Sequence, residues 1–275
     1  MRIATVAMLT LLIASSGGCT PGFFKSKAQP YLNAERLDRG YVIVLTGIEG
    51  RGTFNEDIAS GLAKGGCPYG IEICDWTSSW WWIVNLESIQ TNKNKACEIA
   101  RKIRRYHKAH PDRPVILVGQ SGGAAIAVWA AECMNGQDID GIVLLAATIS
   151  PGYRLDHALL VSRRGIVSFH SDRDVLLLGV GTSIARTMDG NFSTSAGMGG
   201  FNPPPNMPPE YLRLYQIPYN SKMSEAGNYG LHLTSSSERF VARYVEPIVM
   251  NAHWTKESIQ NNVDEANRTR TANAP

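Results

Sequence analysis

The residues of this chain best suited to bond-breaking chemistry are one serine, two aspartates and two histidines. Ser121 lies in Gly119-Gln120-Ser121-Gly122-Gly123, a G-x-S-x-G pattern. A serine hydroxyl becomes a nucleophile when a neighbouring base removes its proton and a carboxylate orients that base. The carboxylates are Asp172 and Asp174, in Ser171-Asp172-Arg173-Asp174-Val175-Leu176, and the bases are His232, in Gly230-Leu231-His232-Leu233, and His170. Such a set forms and breaks an acyl–oxygen bond without a metal or a cofactor, and neither is expected here.

The elements around Ser121 give the pentapeptide its meaning. Pro114-Val115-Ile116-Leu117-Val118 reads as a short buried parallel strand. Gly122-Gly123-Ala124-Ala125-Ile126-Ala127-Val128-Trp129 reads as the start of a helix with small side chains. A strand that turns at once into a helix forces the serine to positive φ and exposes its hydroxyl. It also aims helix N-terminal N–H groups at the reacting centre. Residues two before and two after the serine crowd together there, which suits Gly119 and Gly123. Gly181-Thr182-Ser183-Ile184-Ala185 is a near-match, but no strand precedes it.

Further strands are expected at Tyr41–Thr46, Gly70–Trp76, Ile139–Ala147, Gly165–His170 and Tyr211–Ile217. Helices are expected over Asn55–Lys64, Lys93–His110, Tyr153–Arg164, part of Asp174–Met188, and Ser235–Met250. Gly47–Thr53 and Asn191–Pro209 read as loops, the second bordering the site. The alternation predicts an α/β fold, a mostly parallel central sheet with helices on both faces. In such sheets ligands gather at the carboxyl ends of the strands. Asp172, Asp174 and His170 follow one strand, and His232 stands between the last strand and the closing helix.

The order Ser, Asp, His, the elbow and the element spacing resemble an α/β-hydrolase-fold serine hydrolase, esterase- or lipase-like, from about Tyr41 to Met250. The resemblance favours Asp174 over Asp172, because apolar residues follow the family's acid, and His232 over His170. It implies an oxyanion hole made by the backbone N–H groups of Gly122 and Ile48. The loop Thr46-Gly47-Ile48-Glu49-Gly50 departs from the family here, with Thr46 where histidine is common. Glu49 and Arg51 are expected to pair with each other. The implied reaction is hydrolysis of a carboxylic ester, lipid or thioester through an acyl-Ser121 intermediate. The alternative is a silent binding domain of the cell envelope on the same scaffold. Fewer than 20 residues separate Ala147 from Gly165, too few for a large cap, so an open site is expected.

The chain has 275 residues, 44% hydrophobic and 19% charged, with net charge +3. That suits a globular domain and gives no basic run for nucleic acid. Residues 1–18 read as a signal peptide: Arg2, the apolar run Ile3 to Ala14, then Ser15-Ser16-Gly17-Gly18 before Cys19. This resembles a bacterial lipoprotein signal, with Cys19 lipidated, although Ser16 stands where leucine is usual. A cleaved secretory signal and an uncleaved anchor are the alternatives. The first two place residues 41–250, the hydrolase-like domain, outside the cytoplasm, after a 19–40 lead-in. Of the remaining cysteines, Cys67 and Cys74 are expected to bridge locally, while Cys97 and Cys133 read as small buried hydrophobes. His107 and His110 read as a solvated helix face. The Trp76–Trp82 segment lines an acyl pocket, rests on lipid or packs a helix onto the sheet. Beyond about Lys256 the polar tail is expected to fray.

Overall fold

The structure, a computed structural model, describes residues 29–78, 81–136, 138–174 and 186–269. The signal segment with Cys19, the near-match at 181–185 and most of the expected Asp174–Met188 helix lie outside them. Among the described residues no helix is long and apolar enough to cross a membrane.

Six strands form one sheet: β1 (Tyr41–Leu45), β2 (Gly70–Cys74), β3 (Val115–Gln120), β4 (Gly141–Leu145), β5 (Ile166–His170) and β6 (Leu214–Pro218). Their order is β2-β1-β3-β4-β5-β6 and every pairing is parallel. Both faces are covered, so the inner strands are apolar without alternation. Successive side chains still point to opposite faces. Tyr41, Ile43 and Leu45 enter one core, and Val42 and Val44 enter the other.

A short α1 (Ala34–Leu37) leads in, and α2 (Thr53–Gly65) follows β1. After β2 come α3 (Trp82–Glu87) and the long α4 (Ile89–Ala109). α5 (Gly122–Glu132) follows β3, and α6 (Asp156–Val161) fills the connection between β4 and β5, with no large cap. α4, α5 and α6 contribute to the first core, and α2 to the second. The Asn191–Pro209 loop holds one short helix, α7 (Ala196–Gly199), and a tight turn in which the Met207 N–H donates to Pro204 O at 2.9 Å. β6 begins later than expected, because Pro209–Arg213 forms a 3-10 turn. There the Tyr211 hydroxyl accepts the Leu155 N–H at 2.9 Å.

The closing helix is not one regular piece. α8 (Glu238–Phe240) passes through a π-helical turn (Val241–Val245) into α9 (Glu246–Met250). The residues expected to fray form α10 (Lys256–Arg268) instead. Thr255 Oγ1 accepts the Ser258 N–H at 3.0 Å and Ser258 Oγ accepts the Thr255 N–H at 2.9 Å, closing a capping box. Ile259, Val263 and Ala266 are buried at helical spacing against the second core. Three apolar residues make a thin stripe, easily missed in a polar sequence.

The cysteine pairing is also corrected. Cys97 on α4 is bonded to Cys133 at the end of α5, with Cα atoms 5.3 Å apart, while Cys67 and Cys74 are buried thiols outside any disulfide. Cys74 ends β2 while Cys67 precedes its start, and an extended strand rising about 3.3 Å per residue carries the two beyond what a bridge spans. α4 and α5 pack side by side on one face and bring the other two thiols together.

Candidate active site

The nucleophile elbow forms where the sequence indicates. Ser121 has φ +53° and ψ −121° at the N-cap of α5. A β-carbon at Gly119 would lie 2.5 Å from Gly123 O, and one at Gly123 would collide with the carbonyls of Leu45 and Thr46. Glycine at both positions lets α5 turn back against β1 and β3 without spreading the sheet.

The turn after β5 presents Asp174. Ser171 Oγ accepts the Arg173 N–H at 3.1 Å, and the Asp174 N–H donates to Ser171 O at 2.9 Å. His232 sits on a loop pinned by Asn228 and Thr234. Asn228 Oδ1 accepts the Gly230 N–H at 2.9 Å, and Thr234 Oγ1 accepts the N–H groups of Tyr229 and Leu231, each at 3.1 Å.

These three turns bring the side chains into line. His232 Nδ1 is 2.7 Å from Asp174 Oδ1, and His232 Nε2 is 2.8 Å from Ser121 Oγ. A carboxylate only accepts, so Nδ1 carries the proton and a neutral ring presents the Nε2 lone pair to the serine hydroxyl. All three residues are buried: Ser121 is 3% exposed, Asp174 4% and His232 6%.

The competing residues lie apart. Asp172 is exposed, and its neighbour Arg173 lies over the Tyr219 ring, 5.1 Å from the centroid. His170 stays at the end of β5, where burial holds its imidazole below the usual histidine pKa. His107 Nε2 contacts Asp138 O at 2.6 Å, and His110 Nδ1 lies 3.1 Å from Asp38 Oδ1. Among the described residues, no group of three His, Cys, Asp or Glu is arranged to hold a metal.

The loop after β1 packs beside the elbow. A β-carbon at Gly122 would lie 2.6 Å from Ile48 Cγ2 and 3.3 Å from both Met188 Sδ and the Trp76 ring. Buried donors fix the loop: Trp76 Nε1 donates to Thr46 O at 2.6 Å and Asn85 Nδ2 donates to Ile48 O at 2.9 Å. The N–H groups of Ile48 and Gly122 donate to no backbone carbonyl outside the regular elements among the described residues. Trp76 therefore packs the loop onto the sheet, whereas Trp81 is exposed on the approach to α3. Arg51 pairs with Glu56 at 3.7 Å rather than with Glu49. Glu49 folds its carboxylate back over Gly47, and burial there raises its pKa, partly opposed by its own backbone N–H and by nearby His232.

One contact carries no signal in the sequence. Thr148 Oγ1, on the exit from β4, lies 3.2 Å from Ser121 Oγ.

Sheet order, elbow and the turns after β5 and β6 define an α/β-hydrolase fold, with no large cap among the described residues. No protein-family model matches the chain, and no curated protein does. Solved structures resemble it distantly. An α/β serine hydrolase without lid from Xanthomonas campestris is 12% identical at TM-score 0.39, covering 86% of this chain and 84% of that one. A sugar hydrolase from Lactococcus lactis is 13% identical at TM-score 0.42, covering 86% and 94%. A cutinase-like protein from Cryptococcus sp. is 14% identical at TM-score 0.38, covering 83% and 95%. The chemistry below rests on this chain's own geometry.

Proposed function

We propose that this protein is a serine hydrolase that cleaves a carboxylic ester, lipid or thioester bond through an acyl-enzyme. One observation carries the reading: an unbroken line of contacts, Asp174–His232–Ser121, ending on a serine held at positive φ at a helix N-terminus. Ser121 Oγ attacks the acyl carbonyl while its proton passes to His232 Nε2. Asp174 holds the ring and stabilises the imidazolium. The backbone N–H groups of Gly122 and Ile48 take the oxyanion, in this class of reaction often the largest electrostatic contribution. His232 then protonates the leaving alcohol or thiol, and water, deprotonated by the same imidazole, releases the acid.

Ile48, Met188 and Trp76 pack directly against Gly122, which supports a rigid placement of the two backbone N–H groups beside the nucleophile. The test is labelling by a fluorophosphonate probe together with turnover of p-nitrophenyl esters. Both are expected in the wild type and absent from Ser121→Ala. Stable folding without either would favour the silent binding domain.

We further propose that the chain is exported and anchored through a lipid on Cys19. The Cys97–Cys133 bond supports an oxidising compartment. Metabolic incorporation of a labelled fatty acid, lost in Cys19→Ala, tests the anchor; its absence from the wild type would leave a secreted enzyme.

A further inference from the structure

We propose that Thr148 is a second partner of the nucleophile: its hydroxyl donates a hydrogen bond to Ser121 Oγ and steadies the negative charge that gathers there. This rests on the serine-hydrolase reading above. It adds to the Ser–His–Asp line a group that chain order does not reveal.

Proton counting sets the direction. With the His232 Nδ1–H turned to Asp174, Nε2 accepts, so the single hydroxyl proton of Ser121 points to the imidazole. Ser121 has no second proton for the 3.2 Å contact with Thr148 Oγ1, and Thr148 must be the donor. Among the described residues Ser121 Oγ is the partner of that hydroxyl. Thr148 is 1% exposed, so water does not compete for it.

The backbone is arranged to hold this contact. The Thr148 N–H donates to Ser121 O at 3.2 Å, and Thr148 O accepts the Met188 N–H at 3.0 Å. The Ser121 N–H in turn donates to Leu145 O at 2.9 Å. Between Leu145 and Thr148 stands Ala146, at φ +49°, one of few non-glycine residues in the left-handed region among the described residues. An alanine there is strained, because its β-carbon crowds the following carbonyl. The strained turn carries the chain off β4 and back over the elbow, where the β-branched Thr148 has few χ1 choices. Gly197, in α7, closes the same turn from the acid side by donating to Ala147 O at 2.8 Å.

As the proton moves from Ser121 Oγ to His232 Nε2, the serine oxygen gains charge and the Thr148 bond becomes charge-assisted. Once the acyl group is attached, Oγ is an ester oxygen and a poorer acceptor. When water cleaves the acyl-enzyme, Oγ leaves with an electron pair, Thr148 donates to it again, and His232 returns the proton. The contribution is therefore greatest in the two transition states and small in the ground state, so it appears in kcat more than in KM.

The experiment compares two substitutions that divide the side chain. Thr148→Val keeps the volume and loses the hydroxyl; Thr148→Ser keeps the hydroxyl and loses the methyl. Fluorophosphonate labelling rates and steady-state p-nitrophenyl ester kinetics are measured on wild type and both variants, with melting temperatures alongside. We expect Thr148→Val to lower kcat and the labelling rate by roughly 10- to 100-fold, the range of one hydrogen bond to a charged group. KM should stay within about two-fold, and Thr148→Ser should keep most of the rate. Equal rates in Thr148→Val and an active wild type would overturn the role of Thr148 alone. A Thr148→Ser variant as slow as Thr148→Val would also overturn it, by showing that the methyl matters. A wild type that neither labels nor turns over would remove the serine-hydrolase reading and this inference with it.

Discussion

The two ends of the sheet are built by different rules. At the carboxyl ends, Ser121 and Ala146 are held at positive φ, and Ser121, Thr148, Asp174 and His232 are polar groups buried against one another. At the amino ends the buried charges close ordinary structural contacts. Asp140 Oδ2 accepts the Val115 N–H at 2.8 Å, while Oδ1 faces Arg163 at 3.4 Å and Arg164 at 3.8 Å. Glu72 joins Lys102 at 2.5 Å and the Tyr41 hydroxyl. One end concentrates strain and desolvated hydroxyls around the proposed catalytic line; the other ties strands to helices. The difference teaches that polar burial alone does not mark a site. The mark is polar burial together with a strained backbone and groups that can pass a proton.

If the two ends are separable, substitutions should divide into those that remove activity and those that remove stability. The largest effect is expected from Ser121→Ala, which should lower ester turnover by at least about a thousand-fold. Its melting temperature should equal or exceed that of the wild type, because the strained hydroxyl site is simplified. A Ser121→Ala variant with retained turnover would break the comparison at its active end.

Next in size is the staple between α4 and α5. Cys97 and Cys133 are 36 residues apart, and a loop of that length stabilises by about 3–4 kcal/mol in the chain-entropy account. The double variant Cys97→Ser/Cys133→Ser should show that loss in urea titration while kcat at low temperature stays near wild type. Loss of kcat in the folded double variant would mean that α4 and α5 transmit to the elbow.

Asp140→Ala should cost about 1–3 kcal/mol, because it leaves the Val115 N–H and the Arg164 guanidinium without their carboxylate. Denaturation midpoints would measure it, again with kinetics unchanged.

The smallest effect is pH-dependent. Burial raises the Glu246 carboxyl to about 7 from an ordinary 4.5, where it lies along Gly65 at the end of α2. Between those values the folded chain keeps a proton that the unfolded chain has released, so stability falls as pH rises through the window. The melting temperature should drop between about pH 5 and pH 8, and Glu246→Gln should flatten that slope. An unchanged slope would assign the pH dependence to other groups.

Much of the framework was legible because it is local. Continuous apolar runs predict a sheet covered on both faces, and Val115–Val118 followed by Gly119–Gly123 predicts the elbow, since only glycine tolerates that approach. Other features escaped because they depend on what meets across the fold. Cys67 and Cys74 are near in sequence but held apart by β2, whereas Cys97 and Cys133 meet only when α4 and α5 share a face. α10 depends on three apolar residues and a capping box in a polar segment, a pattern whose value appears when the second core offers a surface for it.

By itself, then, the sequence determined the α/β layering, the place of the turn at Ser121 and the chain order of a serine, an acid and a histidine. Periodicity and backbone sterics act over a few residues and leave their trace in residue types. Tertiary structure alone decided that Cys97 pairs with Cys133 and that Thr148 closes on Ser121, and it set Asp174, which the family resemblance already favoured, against His232. Those outcomes depend on distances between turns that β4, β5 and β6 carry to one end of the sheet. A side chain's type does not record which turn it will meet.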